Sequence, residues 1–193
     1  RYDSAEINML IKSCKDGLFI DLGANIGFYT LSIAKSGAEV LAIEPNPKAL
    51  ERLRFNVQVN DFSSKVTIVP LGVGDPGEFQ LMSSGDLGSA NIRQNNAENY
   101  TESATITTKP LLEILAENNI KTISGLKIDI EGLEDRALYP FFTDAPTSLW
   151  PKCIVIEHCC SENWEEDIIA HMLNIGYELQ FETRGNSVLV LQK

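Results

Sequence analysis

The segment Phe19-Ile20-Asp21-Leu22-Gly23-Ala24-Asn25-Ile26-Gly27-Phe28-Tyr29-Thr30 constrains the fold more than any other part of the chain. A short apolar run ends in an acid, and a glycine-bounded turn then opens into a pattern of helical spacing. This is the strand–turn–helix unit by which a parallel sheet presents its first strand to a nucleotide-like cofactor. The next apolar run, Val40-Leu41-Ala42-Ile43, ends at Glu44. An acid about 20 residues beyond the glycine turn is where an adenosine ribose is held through its hydroxyls. The two features together point to an adenosine-containing cofactor and hence to an enzyme.

The surrounding pattern extends this unit into a sheet. Residues 1–16 have the spacing of a weak amphipathic helix, with Ile7, Leu10, Ile11 and Cys14 on one side. Strands are expected at Gly17–Leu22, Glu39–Ile43 and Val66–Leu71. A helix follows Asn25, and Asn46-Pro47 supplies an N-cap and a first-turn proline for another. Alternating βαβα units with apolar, β-branched strands imply a mostly parallel sheet covered by helices. The alternation then breaks. Phe79–Met82 and Ala104–Thr108 have the composition of short strands, and the Ser-, Asn-, Gly- and Glu-rich stretch Ser83–Ser103 between them is expected to be a loop or lid insertion. Regular units resume with a helix after Pro110, a strand at Gly125–Ile130, a helix near Leu133–Phe142, a strand at Cys153–Ile156 and a helix carrying Trp164, Ile168 and Met172. The last two strands, Tyr177–Thr183 and Val188–Leu191, are separated by four residues, too few for a crossover helix, so they must pair antiparallel. At 193 residues, with no linker or repeat, the chain is expected to form a single domain.

Composition narrows the function classes. The net charge of −11 and the lack of a Lys/Arg cluster argue against a nucleic-acid partner, whose phosphates need a basic stripe. There is no apolar run of membrane-spanning length and no signal-peptide pattern. Arg1 rather than Met opens the chain, as expected of a piece of a longer protein. The four cysteines (Cys14, Cys153, Cys159 and Cys160) have the spacing of neither a zinc site nor a disulfide framework. A reducing, cytoplasmic setting is the expectation.

The turn sequence also selects among cofactors. A nicotinamide dinucleotide favours G-x-G-x-x-G, in which the middle glycine admits the pyrophosphate. Asn25 stands in that place here. S-adenosylmethionine has no pyrophosphate, and the closing antiparallel hairpin departs from an all-parallel dinucleotide fold. The cofactor expectation is therefore S-adenosylmethionine.

Asp21-Leu22-Gly23-Ala24-Asn25-Ile26-Gly27, Glu44-Pro45-Asn46-Pro47, the paired Asn56 and Asn60, Leu71-Gly72-Val73-Gly74-Asp75, Lys127-Ile128-Asp129-Ile130-Glu131-Gly132-Leu133-Glu134 and Ile156-Glu157 occur in this order. On these motifs the chain, over roughly residues 17–158, resembles the FkbM-type methyltransferases. The resemblance implies the α/β class I methyltransferase fold, a Rossmann-like three-layer sandwich whose mostly parallel seven-stranded sheet ends in an antiparallel hairpin. It also implies S-adenosylmethionine as methyl donor and a hydroxyl acceptor on a small molecule, sugar or glycan. One departure stands out. The family continues from a Thr-rich strand into a helix with a Leu-Asp-Asp-like opening, whereas this chain has Thr107-Thr108-Lys109-Pro110-Leu111-Leu112.

Each motif carries an expected role. Gly23 and Gly27 permit the tight turn, and the N–H groups near Ala24, Asn25 and Gly27 meet the methionine carboxylate. Asp21 lies beside the cofactor amino group, with Tyr29 and Thr30 following in the first helical turn. Glu44 accepts from the ribose hydroxyls, with Pro45 and Asn46 beyond it. Gly72, Gly74 and Asp75 frame the adenine. Asp129, which also borders the cofactor, then Glu131 and then His158 are the candidates for the base that takes the acceptor's proton. A divalent metal held by these carboxylates is the alternative, though no compact ligand motif supports it. Lys127 is expected to support the site by pairing with a carboxylate, Glu134 to be an exposed acid in a first helical turn, and His171 to be structural. The competing functions are a non-catalytic binding module of the same fold and, ranked lower, a nucleic-acid methyltransferase or a nicotinamide-linked oxidoreductase. Asp129-Ile130-Glu131-Gly132 lacks the Asn/Asp-Pro-Pro-aromatic segment of amino-directed DNA methyltransferases.

Overall fold

The computed structural model describes residues 4–15, 17–83, 90–92 and 102–192. Its elements, in chain order, are α1 (Ser4–Cys14), β1 (Leu18–Leu22), α2 (Phe28–Lys35), β2 (Glu39–Ile43), α3 (Pro47–Val59), β3 (Val66–Val69), β4 (Gly72–Val73), β5 (Gly77–Ser83), β6 (Ala90–Ile92), β7 (Glu102–Lys109), α4 (Leu111–Glu117), β8 (Gly125–Ile128), α5 (Glu134–Asp144), β9 (Cys153–Glu157), α6 (Ile168–Asn174), β10 (Tyr177–Glu182) and β11 (Asn186–Leu191).

Seven strands form the main sheet in the order β10-β11-β9-β8-β1-β2-β3. The pairs from β3 through β9 are parallel, and β11 runs antiparallel to both β9 and β10. The closing hairpin is therefore as the short connection required. Burial alternates with the period of two that a sheet covered on both faces demands. Phe19, Val40, Ala42, Val155 and Val188 pack with Leu10, Tyr29, Ile33, Leu53 and Val57, on the side of α1, α2 and α3. Ile20, Leu22, Leu41, Ile43, Ile128, Ile154 and Leu189 pack with Leu115, Leu138, Phe141 and Met172, on the side of α4, α5 and α6. This is the three-layer α/β sandwich.

Several boundaries differ from the sequence expectation; Trp164, expected in the last helix, precedes α6, which starts at Ile168 after its Asp167 cap. The run Val66–Leu71 does not make one strand, because β3 stops at Val69 and the chain crosses to a second sheet at Gly72. That sheet has the order β4-β7-β5-β6, and it absorbs the short strands expected at Phe79–Met82 and Ala104–Thr108. The expected strand Gly125–Ile130 ends at Ile128, where the register with β1 also ends. Of the expected insertion Ser83–Ser103, residues 90–92 form β6 against β5, and residues 84–89 and 93–101 lie outside the described residues.

Strand order reverses between β1 and β8. Helices leave the two strands toward opposite faces there, so a crevice opens beyond their carboxyl ends. α1 braces the opposite face of this junction, packing on α2, β8 and β9. Gly125 leaves room for it, since a Cβ at that position would lie 2.4 Å from Cys14 Sγ. Among the described residues, no helix is long and apolar enough to cross a membrane.

Leu10 is fully buried in the layer formed by α1. Leu10→Ala is expected to destabilise the protein by about 2–5 kcal/mol, read as a lowered midpoint in urea unfolding with an unchanged slope.

Candidate active site

The crevice holds a cavity of about 340 Å³. Gly23, immediately after β1, adopts φ +74°, and its N–H and that of Ala24 both donate to Ile43 O (3.0 and 3.1 Å). The turn is thereby tied to the end of β2. A side chain on Gly23 is excluded twice, by its left-handed backbone and because a Cβ would stand 1.9 Å from the carbonyl oxygen of Asp129. Gly27 (φ +96°) caps α2 and admits Leu53 of α3, whose Cδ1 would be 2.6 Å from a Cβ. Asn56 Nδ2 donates to Ile26 O (2.9 Å) and Asn60 Nδ2 to Asn56 O (2.8 Å), which fixes the turn to α3.

Asp21 is 1% exposed. Its Oδ2 accepts from the N–H and the hydroxyl of Thr30 (2.9 and 2.6 Å), so it caps the first turn of α2 across the junction. Its Oδ1 is buried in the cavity wall with no hydrogen-bond partner among the described residues. Burial pushes the Asp21 pKa up, against the pull of Lys127 and the Thr30 bonds. A buried, unsatisfied acceptor carries a penalty that a ligand donor removes.

Glu44 is almost as buried. Its Oε2 accepts from Asn25 N–H and its Oε1 from Asn46 N–H, both at 2.8 Å. Burial raises its pKa, and the two N–H groups oppose the rise. Each carboxylate oxygen keeps a second lone pair, so Glu44 can still accept from a ligand hydroxyl. Asn46 Oδ1 in turn caps α3 at Lys48 N–H (3.0 Å).

Lys127 lies beside Asp21 in the β1–β8 register. Its ammonium donates to Asp129 Oδ2 (3.1 Å) and Gly23 O (3.3 Å) and stands 5.5 Å from the centre of the Tyr29 ring. Burial pulls its pKa down, but Asp129, Asp21 and Glu157 outweigh that, and the net direction is upward. The lysine is therefore charged.

Beyond β8 the site is acidic. Glu131 has φ +60°, an uncommon conformation for a residue with a side chain. Burial, then Asp129 and Glu134, raise its pKa to about 7. Glu157, at the end of β9, is raised to about 8 by burial and by the proximity of Asp129. The sequence signal for Glu157 was its place at a strand end beside Asp129. The sequence carries no signal of a role in proton transfer for it, because the two acids come together only once β8 and β9 pair.

Glu134 corrects an expectation. It is 1% exposed, not a surface acid. Its Oε1 accepts from Ile130 N–H (2.8 Å) and Gly132 N–H (3.2 Å), and its Oε2 from Trp164 Nε1–H (2.8 Å). It holds the loop that presents Glu131. His158 lies apart from the cavity wall. Its Nδ1 is 2.9 Å from Ser187 Oγ, which donates to Glu182, and its ring lines a separate hollow with Trp164. His171 packs against Tyr139, as a structural residue would. Gly72 borders the main cavity, whereas Gly74 and Asp75 line an adjoining one that shares Val73 and Leu133 with it. Thr30 acts through Asp21 and is not itself in the wall. Among the described residues, no group of His, Cys, Asp or Glu is arranged to hold a metal ion.

The methyltransferase FkbM domain matches residues 21–179. The chain belongs to the FkbM methyltransferase family. Among solved structures, this FkbM domain is similar to methyltransferase FkbM from Methylobacillus flagellatus KT (20% identity, TM-score 0.53), covering 90% of this chain and 43% of that one. The domain thus spans less than half the length of that relative. It is also similar to an O-methyltransferase from Bacillus cereus in complex with S-adenosylhomocysteine (11% identity, TM-score 0.56, covering 100% and 83%). A third is an rRNA methylase from Streptococcus thermophilus (9% identity, TM-score 0.56, covering 100% and 98%). At these identities the likeness establishes the class I methyltransferase fold. Among the curated proteins none matches.

The acids of this FkbM domain make stability fall with pH. A carboxyl whose folded pKa lies above its ordinary 4.5 favours the folded state while protonated. That contribution is lost as pH rises through about 7 for Glu131 and about 8 for Glu157. Glu157→Gln cannot ionise. Its melting temperature is expected to gain on the parent's by about 2–4 °C between roughly pH 5 and pH 8.5 in thermal scans without ligand. A constant difference across that range would contradict the assignment.

Proposed function

We propose that this domain transfers a methyl group from S-adenosylmethionine to a hydroxyl of a small-molecule, sugar or glycan-like acceptor. The observation that carries the proposal is the buried, unpartnered Asp21 Oδ1 in a cavity at the strand-order reversal, with Glu44 at the end of the next strand. That donor set fits the cofactor. Asp21 accepts from its amino group and Glu44 from its ribose hydroxyls, whereas the N–H groups of Gly23, Ala24, Asn25 and Gly27, expected to meet its carboxylate, are engaged within the fold and shape the turn instead. Gly72, Gly74 and Asp75 flank the adenine. Pro45 and Asn46 complete the wall beside Glu44, and Tyr29 stands over Lys127. The cofactor supplies an electrophilic methyl group on a sulfonium.

The chain's own residues supply position and a proton acceptor. Asp129 is held by Lys127, which sets its orientation in the acidic wall. Glu131, with a pKa raised to about 7, is matched to take a proton near neutral pH. A hydroxyl acceptor needs such a base, and an acidic wall also suits a neutral acceptor better than an anionic one. His158 lines a separate hollow and is bonded to Ser187, so this reading assigns the proton to the carboxylates.

Calorimetric titration tests the cofactor reading. S-adenosylmethionine and S-adenosylhomocysteine are expected to bind, NAD is not, and Glu44→Ala should weaken the first two by about 10–100-fold. Binding of NAD alone would overturn it. Transfer of a labelled methyl group to a panel of hydroxyl and amine acceptors tests the chemistry. Turnover on a hydroxyl is expected to rise with pH through about 7 and to fall by about 10²–10⁴-fold in Glu131→Gln. Transfer only to amines would remove the hydroxyl assignment.

A further inference from the structure

The charge of the cavity wall is far from balanced. Its charged side chains are Asp21, Glu44, Asp129, Glu131 and Glu157 against the single ammonium of Lys127. Lys127 is committed to Asp129 and Gly23 O. Among the described residues, Glu131 and Glu157 have no basic partner within ion-pair distance, and Glu134 stands behind them on α5 with its own oxygens bonded to N–H groups. Tyr29 faces Lys127 from α2, and the thiols of Cys159 and Cys160 are pushed toward the neutral form by burial and by Glu157, with Arg184 opposing this at Cys159. Among the described residues, Lys127 is the cation ion-paired to an acid of this wall. The unpartnered Asp21 Oδ1, almost wholly buried in the same wall, shows independently that the wall is built for a ligand with donors.

We propose that Glu131 and Glu157 make the site selective for the positively charged methyl donor over its neutral demethylated product. The inference rests on the S-adenosylmethionine reading. The donor carries a sulfonium, an ammonium and a carboxylate, for a net charge of +1; after methyl loss the sulfur is a neutral thioether and the net charge is zero. The two molecules are otherwise nearly the same shape. Contacts of Asp21 and Glu44 hold both alike, so only the uncompensated acids tell them apart. Electrostatic attraction in a partly buried site exceeds that in water, and a cation entering the wall favours the ionised form of each acid. Donor binding therefore expels a proton that product binding leaves in place. The same asymmetry loosens the product once the methyl group has gone, which helps turnover where product release is slow.

The test is calorimetry of the wild-type protein with S-adenosylmethionine and with S-adenosylhomocysteine, in phosphate and in Tris, at several pH values. Buffers of different ionisation enthalpy reveal the protons exchanged. The donor is expected to release more protons than the product near neutral pH, and its affinity relative to the product should rise about tenfold from roughly pH 6 to pH 8.5. Glu131→Gln and Glu157→Gln, isosteric changes at partly exposed positions, should weaken donor binding by about tenfold each and product binding by about twofold or less. Equal proton release by the two ligands, or equal weakening of both by the substitutions, would overturn the proposal while leaving the cofactor reading intact. If neither ligand binds, the cofactor reading fails and the proposal falls with it.

Discussion

A buried ammonium organises this site. Lys127 lies on the strand beside β1, in register with Asp21, and bonds to the carbonyl of Gly23 and the carboxylate of Asp129. It thus joins the ends of the two strands between which the sheet order reverses. A charge at that depth is tolerable only with partners on hand, and its partners are the groups that shape the cavity. Withdrawing it would leave the buried Asp21 without its neighbouring cation and Asp129 without its ion-pair partner. The glycine turn depends on the same junction, since Gly23 fits only because nothing separates it from the Asp129 carbonyl.

Around that ammonium the fold places more negative charge than a stable core favours. Burial and mutual proximity raise the pKa of Glu131 and Glu157, which is the mark of acids held together by the scaffold rather than by each other. Glu134 contributes to that scaffold. Its carboxylate collects Ile130, Gly132 and Trp164, and so fixes a loop in which Glu131 adopts a left-handed backbone. The strain and the crowding are stored where a ligand of opposite charge can relieve them.

Much of this was legible in the sequence because it is local. The turn Gly23–Gly27 and the acids Asp21 and Glu44 are set by residues adjacent in the chain, and apolar runs at strand spacing gave β1, β2, β8 and β9 to within about two residues. The hairpin followed from the shortness of its connection. The run Val66–Leu71 misled, because apolar residues continue past the point where the chain leaves one sheet for another, and composition does not record which partner strand is beside it. Glu134 misled for a related reason. It sits in a first helical turn, where an acid is ordinarily exposed, but its burial is decided by Trp164, about 30 residues distant.

The sequence alone determined the order of elements, the glycine turn, the two acids at the ends of β1 and β2 and the family to which the chain belongs, since each depends on near neighbours and on spacing. The tertiary structure alone decided that Lys127 bridges Gly23 and Asp129, that Glu157 comes close to Asp129, and that one oxygen of Asp21 is left without a partner among the described residues. Those are contacts between strands far apart in the chain, and their electrostatics arise from burial, which no residue possesses until the sheet has closed around it.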